Sequence, residues 1–297
     1  MKKDKAFAMI KSKILELMKT EGADWTRSWI QKERPINFLT RKNYRGLNWA
    51  WLSFTDFKSN EWGTFKQWNS KGYKIKKGSK ASFVVFCEMK KKKADWLKGK
   101  ELETYNTTGD LPYYFFWRVY NVFNADQIEG YEAPKVDNKH TTELTEEDVA
   151  NIEAFIADCG PKIETLGDQP YYAPLSDYIA MPDKETFFTD TAYYSTLLHE
   201  LTHWTGHKSR LNRDQSGSFG SQDYAKEELV AEIGSAFLCQ MQGVEKTVRA
   251  DHAQYLNNWM TMISENDNAL SSAFSQAQKA VDYLERISNK NALKEVA

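Results

Sequence analysis

Apolar residues recur at a helical period through the second half of this chain, whereas the first half mixes one helical stretch with short alternating runs. Tyr194, Leu197, Leu198, Leu201 and Trp204 fall at i, i+3, i+4, i+7 and i+10, the stripe of a helix that buries one face. Thr189 or Asp190 can cap its start, and Gly206 offers a left-handed stop. Leu229, Ile233, Ala236 and Phe237 write a second buried stripe. Thr145 precedes Glu146, Glu147 and Asp148, acids that suit the positive end of a helix, and Val149, Ile152, Phe155 and Ile156 then supply its apolar face. Residues 247–265 and 268–287 read as further amphipathic helices. In the first half, residues 7–18 predict a helix, and residues 81–86 and 113–122 predict strands. Residues 171–181 divide around Pro174 into two strand-like pieces, the second at 177–181. Residues 128–144 are polar and aperiodic, which predicts a linker between a domain at 1–127 and another at 145–297. The fold class expected is α+β: a mixed α/β N-terminal domain, then a mainly helical C-terminal domain with a small sheet.

The first helical stripe carries His199-Glu200-Leu201-Thr202-His203, an H-E-x-x-H. Positions four apart share a helix face, so the two imidazoles can converge on one metal ion. Glu200 stands beside them, where its carboxylate can take a proton from water that the metal has acidified to a pKa of about 7. Zinc is the metal expected, and two histidines leave it short of a protein ligand. On the second stripe Glu228 and Glu232 are one turn apart. Glu228 is assigned as the third ligand and Glu232 as the carboxylate that orients a ligand imidazole through its other nitrogen. This order resembles the gluzincin peptidases, with Glu232 where Asp is more usual. The metzincin pattern H-E-x-x-H-x-x-G-x-x-H is met at Gly206 but has Ser209 where its third histidine belongs, and His207 lies two residues too early. His207 is expected to hydrogen-bond in the loop. Tyr194 and Tyr224 are the candidate oxyanion donors.

Charge divides the chain as the elements do. Residues 1–125 hold 26 Lys and Arg against 12 Asp and Glu, a balance of +14, while residues 126–297 hold 14 against 29, a balance of −15; the two give the net −1. A polyanion is drawn to the first half and repelled by the second, which argues against a zinc nuclease in the acidic half. Eight of the ten tryptophans (Trp25, Trp29, Trp49, Trp51, Trp62, Trp68, Trp96 and Trp117) also lie in the basic half. Cations that track phosphates and flat rings that stack on unpaired bases are the chemistry of single-stranded nucleic-acid binding, although large aromatics also build cores. Lys74, Lys76, Lys77 and Lys80 share a glycine-bounded stretch, and a tract of four lysines at 90–93 ends the first strand.

Cys87, Cys159 and Cys239 form no C-x-x-C and read as small buried apolar residues, not as a disulfide framework or a cysteine zinc site. Lys11, Lys13 and Glu16 interrupt any signal-peptide core, and no run approaches the length of a membrane span. The expected location is the cytoplasm, with no membrane partner.

Asn43-Tyr44-Arg45-Gly46-Leu47-Asn48, Thr64-Phe65-Lys66-Gln67-Trp68, Lys76-Lys77-Gly78 and Val122-Phe123-Asn124-Ala125-Asp126-Gln127 resemble signature runs of the N-terminal domain of ArdC-type antirestriction proteins. His199 to His207, then Ser209-Arg210-Leu211-Asn212-Arg213 and the run from Tyr224 to Gly234, are similar to their zincin-like metallopeptidase domain. The resemblance implies a protein of conjugative plasmids or related mobile elements that binds single-stranded DNA, carries a metal and protects incoming DNA from restriction. Within these runs Tyr44, Arg45 and Lys66 join Lys74, Lys76, Lys77 and Lys80 as candidate DNA contacts. It also implies a strand at 177–181 that serves as a sheet edge for an extended peptide of a protein substrate. The alternative is a DNA-binding shield whose zinc site is structural, closed by His207 or Glu232 as a fourth ligand.

Overall fold

In the computed structural model, which describes residues 1–26, 33–134, 143–218, 220–247 and 252–295, elements are numbered in chain order. The helix read at 7–18 is longer, α1 (Lys3–Glu21), and buries Ala6, Ile10, Ile14, Leu17 and Met18 along one stripe. Two short helices follow, α2 (Leu47–Ser53) and α3 (Phe65–Ser70). Thr64 and Gln67 start α3 with a reciprocal capping box.

These helices surround a four-stranded sheet of β1 (Ile36–Asn37), β2 (Glu61–Gly63), β3 (Ser82–Lys91) and β4 (Tyr113–Asn124), in the order β1-β2-β4-β3. β3 and β4 form a long antiparallel ribbon, paired from Ser82 opposite Val122 to Lys91 opposite Tyr113. The strand read at 81–86 therefore continues through Lys90 and Lys91, half of the lysine tract. The connection holds a short helix, α4 (Lys100–Thr108), which Gly109 stops in the left-handed conformation at φ 73°. At the root of the ribbon Phe83 and Val85 enter the core, but its outer part leaves Phe86, Met89, Tyr113 and Phe115 exposed.

The second half opens with α5 (Glu146–Cys159), which starts where its sequence predicts and is capped reciprocally by Thr145 and Asp148. A three-stranded sheet has the order β5-β7-β6, with β5 (Lys162–Thr165), β6 (Tyr171–Ala173) and β7 (Tyr178–Met181). Here the structure corrects the sequence reading. The strand read at 177–181 lies at the centre, and β6 is an edge. A turn in which Asp177 takes φ 53° and donates its N–H to the Ala173 carbonyl folds β6 back against β7, while β5 pairs in parallel on the other side. Four helices complete the fold: α6 (Asp190–Trp204), α7 (Gln222–Gln242), α8 (His252–Glu265) and α9 (Ala269–Glu295). Among the described residues no helix is long and apolar enough to cross a membrane.

One hydrophobic core runs across the charge division. Trp49 of α2 stacks on Phe237 of α7 with ring centroids 4.0 Å apart, inside a cluster that also holds Ile10, Trp25, Phe83, Leu201 and Phe274. Opposite charges close its margins: Arg45 pairs with Asp282, and Lys11 reaches Asp267 at 2.8 Å. Part of the opposed charge of the two halves is thus spent on holding them together. Trp25, Trp49, Trp62 and Trp68 are core residues, so they offer no surface for stacking; Trp29, residues 135–142 of the expected linker and the start of the helix expected at 247–265 lie outside the described residues. Cys159 and Cys239 are buried as expected, but Cys87 is exposed on the ribbon.

Trp49→Ala removes a ring that both halves share, and is expected to cost about 3–5 kcal/mol. Urea titration followed by circular dichroism and by tryptophan fluorescence should show a single transition moved to lower urea by both probes; two separated transitions would contradict a shared core.

Candidate metal centre

Thr189 caps α6 by accepting the Ala192 N–H at 3.1 Å, and Ser221 caps α7 by accepting that of Tyr224 at 3.1 Å. The two helices cross where Gly234 of α7 faces Thr202 of α6; a Cβ on Gly234 would fall 2.5 Å from Thr202 Cγ2. That approach brings the H-E-x-x-H helix against the acidic one. His199, Glu200, His203, Glu227, Glu228 and Glu232 are all buried.

Three donor side chains converge, and Glu228 turns a different carboxylate oxygen to each imidazole. His199 Nε2 and His203 Nε2 are 3.2 Å apart, and each lies 3.4 Å from a Glu228 carboxylate oxygen. A tetrahedral ion with ligands at about 2.0–2.1 Å needs donors about 3.3 Å from one another, so these residues fit a metal in the tetrahedral range. Among the described residues this is the one group of three such side chains gathered for a metal. Burial alone would lower the pKa of His203, but the Glu228 carboxylate and the Glu227 hydrogen bond outweigh it and push it up to about 10. Burial opposes charge on Glu228, yet His203 and His199 hold it well below the usual carboxylate range.

Behind the donors the structure uses a residue that the sequence reading missed. Glu227 meets His203 Nδ1 at 3.2 Å and is itself held by Arg213 Nη2 at 2.7 Å and Gln215 Nε2 at 3.1 Å. Burial works against its charge, but His203 and Arg213 leave its pKa lowered. Arg213 also donates to the Thr202 carbonyl and the Thr205 hydroxyl, both at 2.7 Å, which ties the loop after α6 to the helix. Glu232 stands 3.9 Å from His199 Nδ1 and accepts from Lys246 at 3.1 Å and from Thr26 at 3.2 Å. Thr26 belongs to the basic half, so that half touches the surroundings of the metal site. His207 behaves as the loop histidine expected, with Nδ1 2.8 Å from Ser209 Oγ.

The donors open on a cavity of about 270 Å³ whose lining includes Glu200, Tyr224 and, from the neighbourhood of β6, Pro170, Tyr171 and Tyr172. Burial, then the adjacent Glu228, raise the Tyr224 pKa far above its ordinary value, so its hydroxyl stays protonated. Tyr194 is committed elsewhere: it donates to Glu153 at 2.5 Å and accepts from Lys184 at 3.1 Å.

Residues 150–276 match a family model described as a zincin-like metallopeptidase, and residues 4–123 match the N-terminal domain of anti-restriction factor ArdC. A crystal structure of a plasmid antirestriction ArdC protein, metal-free, superposes with a TM-score of 0.76 at 31% identity, over 96% of this chain and 98% of that one. This chain belongs to the ArdC antirestriction family. A second ArdC crystal structure, Mn(II)-bound, gives a TM-score of 0.76 at 30% identity over 95% of this chain and 97% of that one. The uncharacterized protein y4eC of Sinorhizobium fredii is 32% identical over 94% of this chain and 91% of its own length. DNA primase TraC of Escherichia coli is 33% identical over 93% of this chain, which spans 26% of TraC.

The candidate DNA contacts of this ArdC family member are differently placed. Lys74, Lys76, Lys77 and Lys80 are exposed on one loop, pinned by hydrogen bonds from Lys76 N to Gln127 O and from Glu129 N to Lys74 O, both 2.8 Å. The Lys76 ammonium also donates to the Asp126 carbonyl at 2.7 Å. Lys66 is exposed on α3. Asn37 links its neighbour Gln67 to Tyr44, donating 3.2 Å bonds to both, and Tyr44 is partly buried. Arg45 is taken up by Asp282.

Glu227→Gln keeps the size of the side chain but removes the charge between His203 and Arg213. Titration calorimetry with zinc is expected to show affinity about 10–100-fold weaker; unchanged affinity would show that Glu227 does not orient the donor.

Proposed function

We propose that the protein is an antirestriction factor of a mobile element that works in the cytoplasm, binds single-stranded DNA through its basic half and hydrolyses peptide bonds at a metal held by His199, His203 and Glu228. The observation that carries the peptidase reading is the three-donor cluster at tetrahedral spacing, open to a cavity in which Glu200 stands. A structural site would need a fourth protein ligand, and the nearby candidates are otherwise engaged: Glu227 with Arg213, Glu232 with Lys246, His207 with Ser209. Two imidazoles and a carboxylate suit zinc, and manganese is the ion named for the ArdC relative.

A metal held by His199, His203 and Glu228 would supply a Lewis acid for the scissile carbonyl and lower the pKa of the attacking water. Glu200 takes the proton of that water and returns it to the departing amine. Tyr224, protonated at working pH, donates a hydrogen bond to the oxygen on which negative charge develops. The edge strand β6, beside the cavity, offers backbone groups to an extended substrate, a mode of binding that tolerates varied side chains. The basic half supplies the DNA: its balance of +14 attracts phosphate, and its residues 4–123 match the ArdC N-terminal domain.

Glu200→Gln should retain zinc at wild-type stoichiometry and lose about 100-fold or more of the cleavage rate on a proteome digested by the zinc-loaded protein in the presence of single-stranded DNA. Equal cleavage by the variant, or none by the wild type, would remove the peptidase from this reading.

A further inference from the structure

The β3–β4 ribbon presents rings and cations in alternation on one face. The register sets Phe86 opposite Arg118, Val84 opposite Tyr120 and Lys90 opposite Tyr114, with Phe116 between the last two on β4. Side chains two residues apart along a strand share a face at a spacing of about 7 Å, so Tyr114, Phe116, Arg118 and Tyr120 form a row. Phe86 is 52% exposed and Tyr120 39%. Phe116 has the Lys90 ammonium 4.7 Å and the Arg118 guanidinium 4.9 Å from its ring centroid. At the outer end Trp96, 48% exposed, stands 5.7 Å from Tyr114, with Lys93 over it at 5.7 Å. Glu88, the acidic residue of this face, is paired with Lys90 at 3.1 Å. The opposite face is fastened to α1, where Phe7 meets Trp117 edge-on at 5.3 Å and Lys3 lies 5.1 Å over the same tryptophan. The ribbon is therefore anchored from behind at its root alone; farther out Met89, Tyr113 and Phe115 leave the back exposed as well, and the front is open beyond the buried Val84.

A protein-docking face of this size would gain from burying its rings and would lose by stripping water from the interleaved cations. A duplex would engage the cations alone, because its base faces are hidden. Unpaired bases with their phosphates use both. We propose that this face is a stacking platform for single-stranded DNA, on which Phe86, Phe116 and Tyr120 take bases while Lys90 and Arg118 swing from the rings to the phosphates. This rests on the single-strand reading above and gives it a location away from the lysine loop at 71–80.

The test is fluorescence anisotropy of the full-length protein with a fluorescein-labelled oligothymidylate across a salt series. The pair Phe116→Ala and Tyr120→Ala should weaken binding about tenfold or more, with the salt slope unchanged. The pair Phe116→Tyr and Tyr120→Phe, which keeps both rings, should bind within about twofold of wild type, and so separates stacking from damage to the fold. Lys90→Gln with Arg118→Gln should make the slope of log K against log salt shallower by about 1.4, for two phosphates at about 0.7 each. If the wild type binds and the alanine pair binds equally well, the platform is refuted while the single-strand reading stands; if the wild type does not bind, both fall. If the alanine pair binds DNA normally but abolishes a self-association seen by sedimentation of the wild type, the face is a contact between copies and the proposal is overturned.

Discussion

The metal centre depends on how closely two helices approach. Glu228 can meet both imidazoles only because α7 presents a glycine to α6 at their crossing, where Gly234 leaves room for a single Thr202 methyl group and no Cβ of its own. Thr202 cannot easily yield, since it is fully buried and its hydroxyl donates to the Leu198 carbonyl at 2.9 Å. Separation of the helices would lengthen the donor distances past what a metal can bridge, because first-row coordination tolerates only about 0.2 Å of error. A tight crossing therefore sets the geometry that two histidines and a glutamate, spaced along separate helices, could not set by themselves.

The same crossing concentrates charge out of water, and the rest of the site follows from that problem. An unpaired buried carboxylate is costly. Glu227 has Arg213, and Glu232 has Lys246. Glu228 faces the two imidazoles, and a divalent cation placed among the three would satisfy all of them at once. The pairing partners come from distant parts of the chain. Arg213 arrives on the loop after α6, Lys246 from beyond α7, and Thr26, which also contacts Glu232, from the basic half. The metal site is thus the meeting point of both halves of opposite charge, and the stacking of Trp49 on Phe237 fixes the joint nearby.

How much of this was legible in the sequence depended on whether the signal was local. The helix at His199, its Thr189 cap and the helix start at Thr145 were readable, because each rests on helical periodicity or on bonds within one turn; Glu228, on another helix, was singled out by its four-residue spacing from Glu232 and by the gluzincin order. Glu227 was not. It neighbours Glu228 and differs only in which way it points, which a reading by four-residue spacing cannot see; Arg213, its partner, acts through a loop. The exchange of edge and centre between β7 and β6 has the same cause, since pairing with β5 is non-local. The tryptophans misled in a more instructive way. Lysines beside them suggested a wet surface, but a large ring in a small sheet domain fills volume first: among the described tryptophans of the basic half Trp96 alone is exposed, and the ribbon that extends beyond the core exposes Phe86, Tyr113, Phe115 and Tyr120.

The most direct test of the central claim is an anomalous-difference map of zinc-loaded crystals at the zinc edge. One strong peak is expected, bonded at about 2.0–2.2 Å to Nε2 of His199, Nε2 of His203 and the Glu228 carboxylate, with its remaining position facing the cavity that Glu200 lines. A peak closed by a fourth side chain such as Glu227 or Glu232, or one bound elsewhere, would contradict it.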